Sequence, residues 1–214
     1  MEYSDELIFF GKMTASVSHE INNVFAIVNE LGGLLEDMAY AAGRKKPLDP
    51  EKVQQISQSL QKQVYRGKGI VQRLNRFAHS VDDRVSEFDV GAMLQDAVDM
   101  AQRFAQLKRI DLQAEPPGQP TSLSSNRFFF QQAVVLGIES AFQLVNEGGR
   151  VRVAGLSDNG RVEVLIRACD AETSSDLQEN LSLLTKATEP IQGDADWSVE
   201  DERDRVLRLT FPSL

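Results

Sequence analysis

The sequence predicts an α plus α/β protein: a helical hairpin over residues 1–82 that forms a dimeric four-helix bundle, followed by an α/β sandwich over residues 83–214. Three observations predict it. Apolar residues recur at spacings of three and four along most of the stretch from Phe10 to Met38, and again from Val53 to Val81 with an interruption between Leu60 and Ile70, the seam of helices that pack on helices. Gly43, Pro47 and Pro50 punctuate the stretch between them as a turn. Beyond Phe88 the pattern changes to apolar helical runs mixed with strict alternation, the mark of half-buried strands.

The first helix is expected over residues 4–42, with Phe10, Val17, Ile21, Val24, Val28, Leu31, Leu35 and Met38 along its seam. Gly43 suits its C-terminal cap. Asp49-Pro50-Glu51 is a helix start, with proline at the first helical position. The second helix has Val53, Ile56, Leu60, Ile70, Leu74, Phe77 and Val81 on its seam; Gln63 and Gly67 interrupt it, and Val64 and Val71 widen it. One such hairpin leaves much of its apolar stripe in water, and two of them bury it as a bundle, so a homodimer is expected.

Residues 80–87 read as a linker. A helix over 90–107, a strand over 109–115 and a Pro-, Gly- and Ser-rich loop over 116–125 follow. Residues 126–145 form a strongly apolar helix ended by Gly148-Gly149. Residues 150–154 and 161–168 alternate as strands around Ser157-Asp158-Asn159-Gly160, a hairpin turn. A helix over 175–186 and a last strand over 205–211 complete the order. Helices on one face of a mixed sheet give an α/β sandwich.

The net charge of −9 and a pI near 4.8 argue against nucleic acid, which asks for a basic face, and against an anionic membrane surface. No run approaches a transmembrane length, and no signal-peptide pattern follows the acidic start at Glu2, Asp5 and Glu6. Cys169 is the one cysteine, which leaves no disulfide within the chain and no thiolate metal cluster. A soluble, cytoplasmic chain is expected.

The chemistry concentrates in Ser18-His19-Glu20-Ile21-Asn22-Asn23, which holds one of the two histidines. With Val17 at d and Ile21 at the next a, His19 falls at f, opposite the seam, so its ring is expected to face solvent or a partner. Asn23, four residues on, shares its face. This hexapeptide resembles the H box of bacterial sensor histidine kinases, in the dimerisation and phosphotransfer helix of the HisKA type. The resemblance implies that His19 carries a phosphoryl group on a ring nitrogen, that Glu20 polarises the ring, and that Asn23 orients a water when the module dephosphorylates its partner. His19, Glu20 and Asn23 are thus the candidate catalytic residues. The family usually has proline where this chain has Val24; proline bends the helix, so a straighter helix is expected here. The H box comes almost at once in the chain, so any signal is expected to arrive through a partner. Arg66, Lys68, Arg73 and Arg76, in the part of the second helix level with His19, either face phosphate or an acidic receiver or make a solvated helix face.

The remainder resembles, more weakly, the ATP-binding domain of the same kinases, in a degenerate form. Ser140 stands where the family's N-box asparagine holds magnesium and phosphates, and Gly148-Gly149-Arg150-Val151 matches the turn into the next strand. The family's Asp-x-Gly-x-Gly box aligns with Asp170-Ala171-Glu172-Thr173-Ser174, which lacks both glycines and adds a carboxylate at Glu172. No Gly-rich lid follows; residues 175–204 contain only Gly193. These three losses predict that the chain binds no ATP and does not phosphorylate itself. Asp170 then reads as a turn cap, Cys169 as a small strand residue, His79 as a basic residue suited to a helix C-terminus, and Trp197 as packing or surface.

The resemblance implies a histidine phosphotransfer protein of a two-component phosphorelay. It would accept phosphoryl on His19 from one receiver aspartate and pass it to another, much as dimeric phosphotransferases with a degenerate kinase domain do. No cofactor is expected in this chain, with Mg²⁺ supplied only by a partner receiver domain. The expected partners are a second copy, response-regulator receiver domains and a hybrid histidine kinase, with no nucleic acid and no membrane. Two alternatives stay open: a response-regulator phosphatase using Glu20 and Asn23, and a non-catalytic pseudokinase scaffold.

Overall fold

The computed structural model describes residues 4–44, 47–116, 118–158, 161–171, 177–200 and 204–212. The chain divides into two compact units, Met1–Arg76 and Phe77–Leu214.

The first unit is an antiparallel helical hairpin. Helix α1 spans Asp5–Gly43; the Ser4 hydroxyl accepts from the Leu7 N–H, and Asp5 and Glu6 place negative charge in its first turn, where the helix dipole favours it. Helix α2 spans Pro50–Ala78, its last two residues belonging to the second unit. Asp49 caps it, its Oδ1 accepting from the N–H groups of Glu51 at 3.0 Å and Lys52 at 3.3 Å. Val17, Val24 and Ile70 form a buried cluster, with Ile21, Val28 and Leu74 half-buried around it. Gly67, an apparent gap in the seam, is where Val24 fits: a Cβ there would lie 3.3 Å from Val24 Cγ1. One flank of the stripe stays wet. Val64 is 63% exposed, Val71 44% and Phe25 65%. Among the described residues no helix is long and apolar enough to cross a membrane.

The second unit holds a two-stranded antiparallel sheet of β1 (Ser86–Asp89) and β3 (Ser122–Ser125), and a five-stranded mixed sheet. Between β1 and β3 come α3 (Val90–Leu107) and β2 (Asp111–Ala114); after β3 come α4 (Arg127–Ala141), β4 (Arg150–Asp158), β5 (Arg161–Cys169), α5 (Leu177–Thr188), β6 (Asp194–Val199) and β7 (Arg205–Pro212). The larger sheet runs β2-β4-β5-β7-β6, parallel between β2 and β4 and antiparallel elsewhere. Asp89 caps α3, accepting from Ala92 N–H, and Asn126 caps α4, accepting from Phe129 N–H. The Asn126 amide also donates to the Arg84 carbonyl at 3.1 Å, tying the start of α4 to the chain that leads into β1.

Alternation along β4, β5 and β7 sends one set of side chains under the helices. Val164, Ile166, Leu207 and Leu209 are fully buried. Two glycines set how closely the helices approach. A Cβ on Gly137 of α4 would sit 2.6 Å from Ile166 Cδ1 and 2.8 Å from Leu207 Cδ2, and one on Gly155 of β4 would sit 2.9 Å from Leu94 Cδ1 on α3. The opposite sheet face is polar and ion-paired: Arg152 with Asp111 at 2.7 Å, Arg167 with Glu200 at 3.0 Å, Arg208 with Glu163 at 3.4 Å.

Four local expectations change. The linker over 80–87 is more ordered than its composition suggests: a 3₁₀ turn at His79–Val81 opens it, and its last two residues begin β1. The loop over 116–125 ends in β3, which pairs with β1, setting Phe88 opposite Leu123. The helix over 126–145 stops at Ala141. Strand β6 lies in a stretch to which the sequence assigns no strand. Asn159 and Gly160 of the expected hairpin turn lie outside the described residues, but the β4–β5 pairing on either side is that of a hairpin.

Candidate functional site

Helix α1 runs unbroken through the hexapeptide, with Val17 and Val24 each 4% exposed on its inner side. His19 and Asn23 are exposed and Glu20 is half-buried. The two exposed side chains meet: Asn23 Nδ2 lies 3.3 Å from His19 Nδ1. His19 Nε2 has no hydrogen-bond partner among the described residues. Val17 clusters with Ile70 and Val24 fits against Gly67, so His19 is level with the 67–70 part of α2. There Arg66 and Lys68 are exposed, and further along Arg73 is half-buried and Arg76 exposed. Val24, in place of the proline common in kinases, keeps its N–H in the helical ladder, and α1 continues for nineteen further residues to Gly43.

The residues aligned with the nucleotide boxes are engaged otherwise. Ser140 is 7% exposed on α4. Gly148 takes a left-handed φ of 85°, and its N–H donates to the Arg109 carbonyl at 2.9 Å while Asp111 N–H donates to the Gly149 carbonyl at 2.9 Å. That turn therefore registers β2 against β4. Asp170 follows β5 with a left-handed φ of 55°. Its carboxylate pairs with Arg150 at 3.2 Å, and its own N–H donates to Asp204 Oδ1 at 3.1 Å. Asp170 is thus the residue capped in this turn, where the sequence suggested that it does the capping. Glu172, Thr173 and Ser174 of the aligned box lie outside the described residues. Gly193 packs closely on β7, with a Cβ there reaching 2.9 Å from Phe211 and 3.0 Å from the Thr210 carbonyl oxygen.

Cys169, His79 and Trp197 are the other residues singled out in the sequence; the Trp197 indole Nε1 is buried with no hydrogen-bond partner among the described residues. Burial pushes the Cys169 thiol up, and the Asp204 carboxylate adds to this. His79 Nδ1 sits 2.7 Å from Asp82 Oδ2. Trp197 is half-buried on β6, on the side of the sheet that carries Leu207. The His19–Asn23 contact is legible from i, i+4 spacing; the Arg150–Asp170 pair is not, since it depends on hairpin register.

No protein-family model and no curated protein sequence matches this chain. Solved structures do. The Acinetobacter baumannii histidine kinase AdeS is similar over 91% of this chain and 98% of its own, with a TM-score of 0.51 at 14% identity. A histidine kinase from Burkholderia phymatum is similar over 89% and 98%, with a TM-score of 0.52 at 13% identity. The histidine kinase ThkA, solved in complex with the response regulator TrrA, is similar over 97% of this chain and 63% of its own, with a TM-score of 0.52 at 18% identity. The fold is histidine-kinase-like. Within that histidine-kinase-like fold, His19 sits on the hairpin, and Ser140 and Asp170 on the α/β unit.

Proposed function

We propose that this chain is a histidine phosphotransfer protein of a two-component phosphorelay, taking phosphoryl on His19 from one receiver aspartate and passing it to another without using ATP. The observation that carries this reading is an exposed His19, held by Asn23, on the hairpin of a histidine-kinase-like fold. A phosphoryl group on an imidazole nitrogen is labile, so transfer to a carboxylate needs mainly alignment and charge neutralisation. A receiver domain supplies its own aspartate pocket and Mg²⁺; this chain supplies the nucleophile.

The absence of ATP chemistry is part of the proposal. Its support is the engagement of Asp170 by Arg150 and a sequence whose single glycine after Asp170, Gly193, is used in packing. Response-regulator receivers are the proposed partners, as TrrA is for ThkA, and a hybrid histidine kinase is the proposed source of phosphoryl. The wet flank at Phe25, Val64 and Val71 supports a homodimer closing a four-helix bundle.

The test is phosphoryl uptake from chemically phosphorylated receivers with no ATP present, comparing wild type with His19→Ala. Acid-labile, base-stable label on wild type alone supports phosphotransfer. Receiver phosphate lost without label on this chain, in a manner that depends on Asn23, would establish a phosphatase instead. Receiver binding that survives both changes and fails in Val28→Asp, with neither uptake nor loss, would leave a scaffold.

A further inference from the structure

We infer that Asn126 is a latch: its amide holds residues 79–87, the stretch that leads from α2 into β1, as a closed strap on the start of α4, and the strap opens when that amide lets go. The inference goes beyond the phosphotransfer reading and does not depend on it.

The strap is pinned at both ends by buried aromatic rings. Phe77, in the last turn of α2 and the first residue of the second unit, is 0% exposed and stacks on Phe128 of α4 with 6.1 Å between ring centroids. Ser80 is buried just after it, and its hydroxyl donates to the Phe77 carbonyl at 2.6 Å. At the other end Phe88 of β1 is buried, with its ring centroid 5.2 Å from that of Phe130 on α4 and its backbone opposite Leu123 of β3. Arg127, the first residue of α4, donates to the Glu87 carbonyl at 2.9 Å.

Between these anchors little holds the chain. Val81, Asp82, Asp83, Arg84 and Val85 are all exposed, so side-chain burial does not fix their course. The bonds that Asp82 makes go to His79, within the strap itself. Among the described residues, the hydrogen bonds that tie this span to another element both come from Asn126. Its Nδ2 lies 3.1 Å from the Arg84 carbonyl oxygen and 3.5 Å from that of Asp83, the first an ordinary bond and the second a long one.

The same side chain caps α4, its Oδ1 accepting from the Phe129 N–H at 3.1 Å. The two tasks fix which way the amide faces. A backbone N–H can only donate and a carbonyl can only accept, so the oxygen turns to α4 and the nitrogen to the strap. They also account for an asparagine at this position. An aspartate caps a helix equally well, but its carboxylate has no N–H to give a carbonyl. A serine caps too, but its shorter side chain does not reach both partners. Cap and latch are thus opposite ends of one amide, and the latch can be removed with the cap in place. Once open, Val81 to Val85 become slack while Phe77 and Phe88 keep both ends of the strap in the α/β unit.

The test is limited proteolysis of the full chain by an arginine-specific protease, on wild type, Asn126→Asp, Asn126→Ser and Asn126→Ala. Initial rates of cleavage after Arg84 and after Arg208 are followed by mass spectrometry. Cleavage of a native chain follows the population of its opened form. Arg84 lies in the strap and Arg208 within β7, so the second rate reports unfolding of the unit as a whole. Loss of a hydrogen bond of ordinary net strength moves an opening equilibrium by about two- to tenfold. Asn126→Asp and Asn126→Ser are expected to raise the Arg84 rate by that factor and to leave the Arg208 rate as in wild type. Asn126→Ala also removes the cap and is expected to raise both rates. A wild-type rate at Arg84 in either capping variant would overturn the inference. So would a rise at Arg84 matched by an equal rise at Arg208 in those variants, since the whole unit would then have loosened.

Discussion

Replacing Gly137 by alanine puts one methyl group into a tight contact between α4 and the sheet. On helix propensity alone the change is favourable by about 1 kcal/mol, since glycine is the poorer helix residue. The site opposes it. The new Cβ would lie 2.6 Å from Ile166 Cδ1 and 2.8 Å from Leu207 Cδ2, with Leu209 Cδ1 at an ordinary 3.6 Å. Carbon atoms prefer about 3.5–4.0 Å, so two contacts are each short by about 1 Å. Ile166 and Leu207 are both fully buried and have no open space to move into. Overpacking of this kind costs about 1–3 kcal/mol, and driving two side chains off their rotamers lies in the upper part of that range. The net expectation is destabilisation by about 1–2 kcal/mol, read as a lower urea midpoint with unchanged slope. Ile166→Val deletes the atom at 2.6 Å. The double variant is therefore expected to be more stable than the sum of the two single changes predicts. A Gly137→Ala midpoint at or above wild type, or strict additivity in the double variant, would refute this account of how α4 rests on the sheet.

Gly33→Ala and Gly69→Ala are the converse case: both glycines lie inside helices with nothing within 4 Å of a new Cβ. Each is expected to stabilise the hairpin by about 1 kcal/mol in thermal or urea melts. Hydrogen bonding from Arg152, joined by the charges of Arg152 and Arg150 and by a hydrogen bond from Gln113, holds the Asp111 carboxyl below its usual range against the opposing effect of burial. Because the folded value is depressed, the stability it contributes is present above the unfolded value of about 3.9 and is lost as pH falls through the lower folded value. Asp111→Asn is therefore expected to cost under about 1 kcal/mol at neutral pH, after screening of this exposed pair. That gap between wild type and variant should close in acid denaturation curves. Cys169, with its thiol pushed up by burial, is expected to react with an alkylating reagent more slowly than a free cysteine at neutral pH; equal rates would contradict that.

What the sequence shows and hides has physical reasons. The hairpin is legible because its seam persists over many turns, and because Asp49 and Pro50 mark a helix start by local chemistry alone. Strand β5 is legible because it alternates cleanly over its nine residues; β4 is legible only over 150–154, where Val151 and Val153 alternate with Arg150 and Arg152, and its continuation through Ser157 and Asp158, residues expected in the turn, shows only in the pairing with β5. Strands β1 and β3 are four residues each, too short to display a period, and only their pairing gives Phe88 and Leu123 a meaning. Strand β6 does alternate, as Ala195, Trp197 and Val199 between Asp194, Asp196 and Ser198, but as an edge strand it is only half covered. Acidic residues on its open face make it read as a polar stretch. At the site, His19 and Asn23 meet through helix geometry that any reader of the sequence can apply. The fate of Asp170 depends on Arg150 and Asp204, which only strand register brings close.

The sheet order has a consequence for how the chain is made. Strand β6 is synthesised before β7, yet among the described residues β7 is its only hydrogen-bonded neighbour in the sheet. Translation proceeds at roughly 5–20 residues per second, so for roughly a second β6 emerges with no template to pair with. Its aspartates, unhelpful as a strand signal, then act as a safeguard, since charge on an unpaired strand discourages pairing with a neighbouring nascent chain.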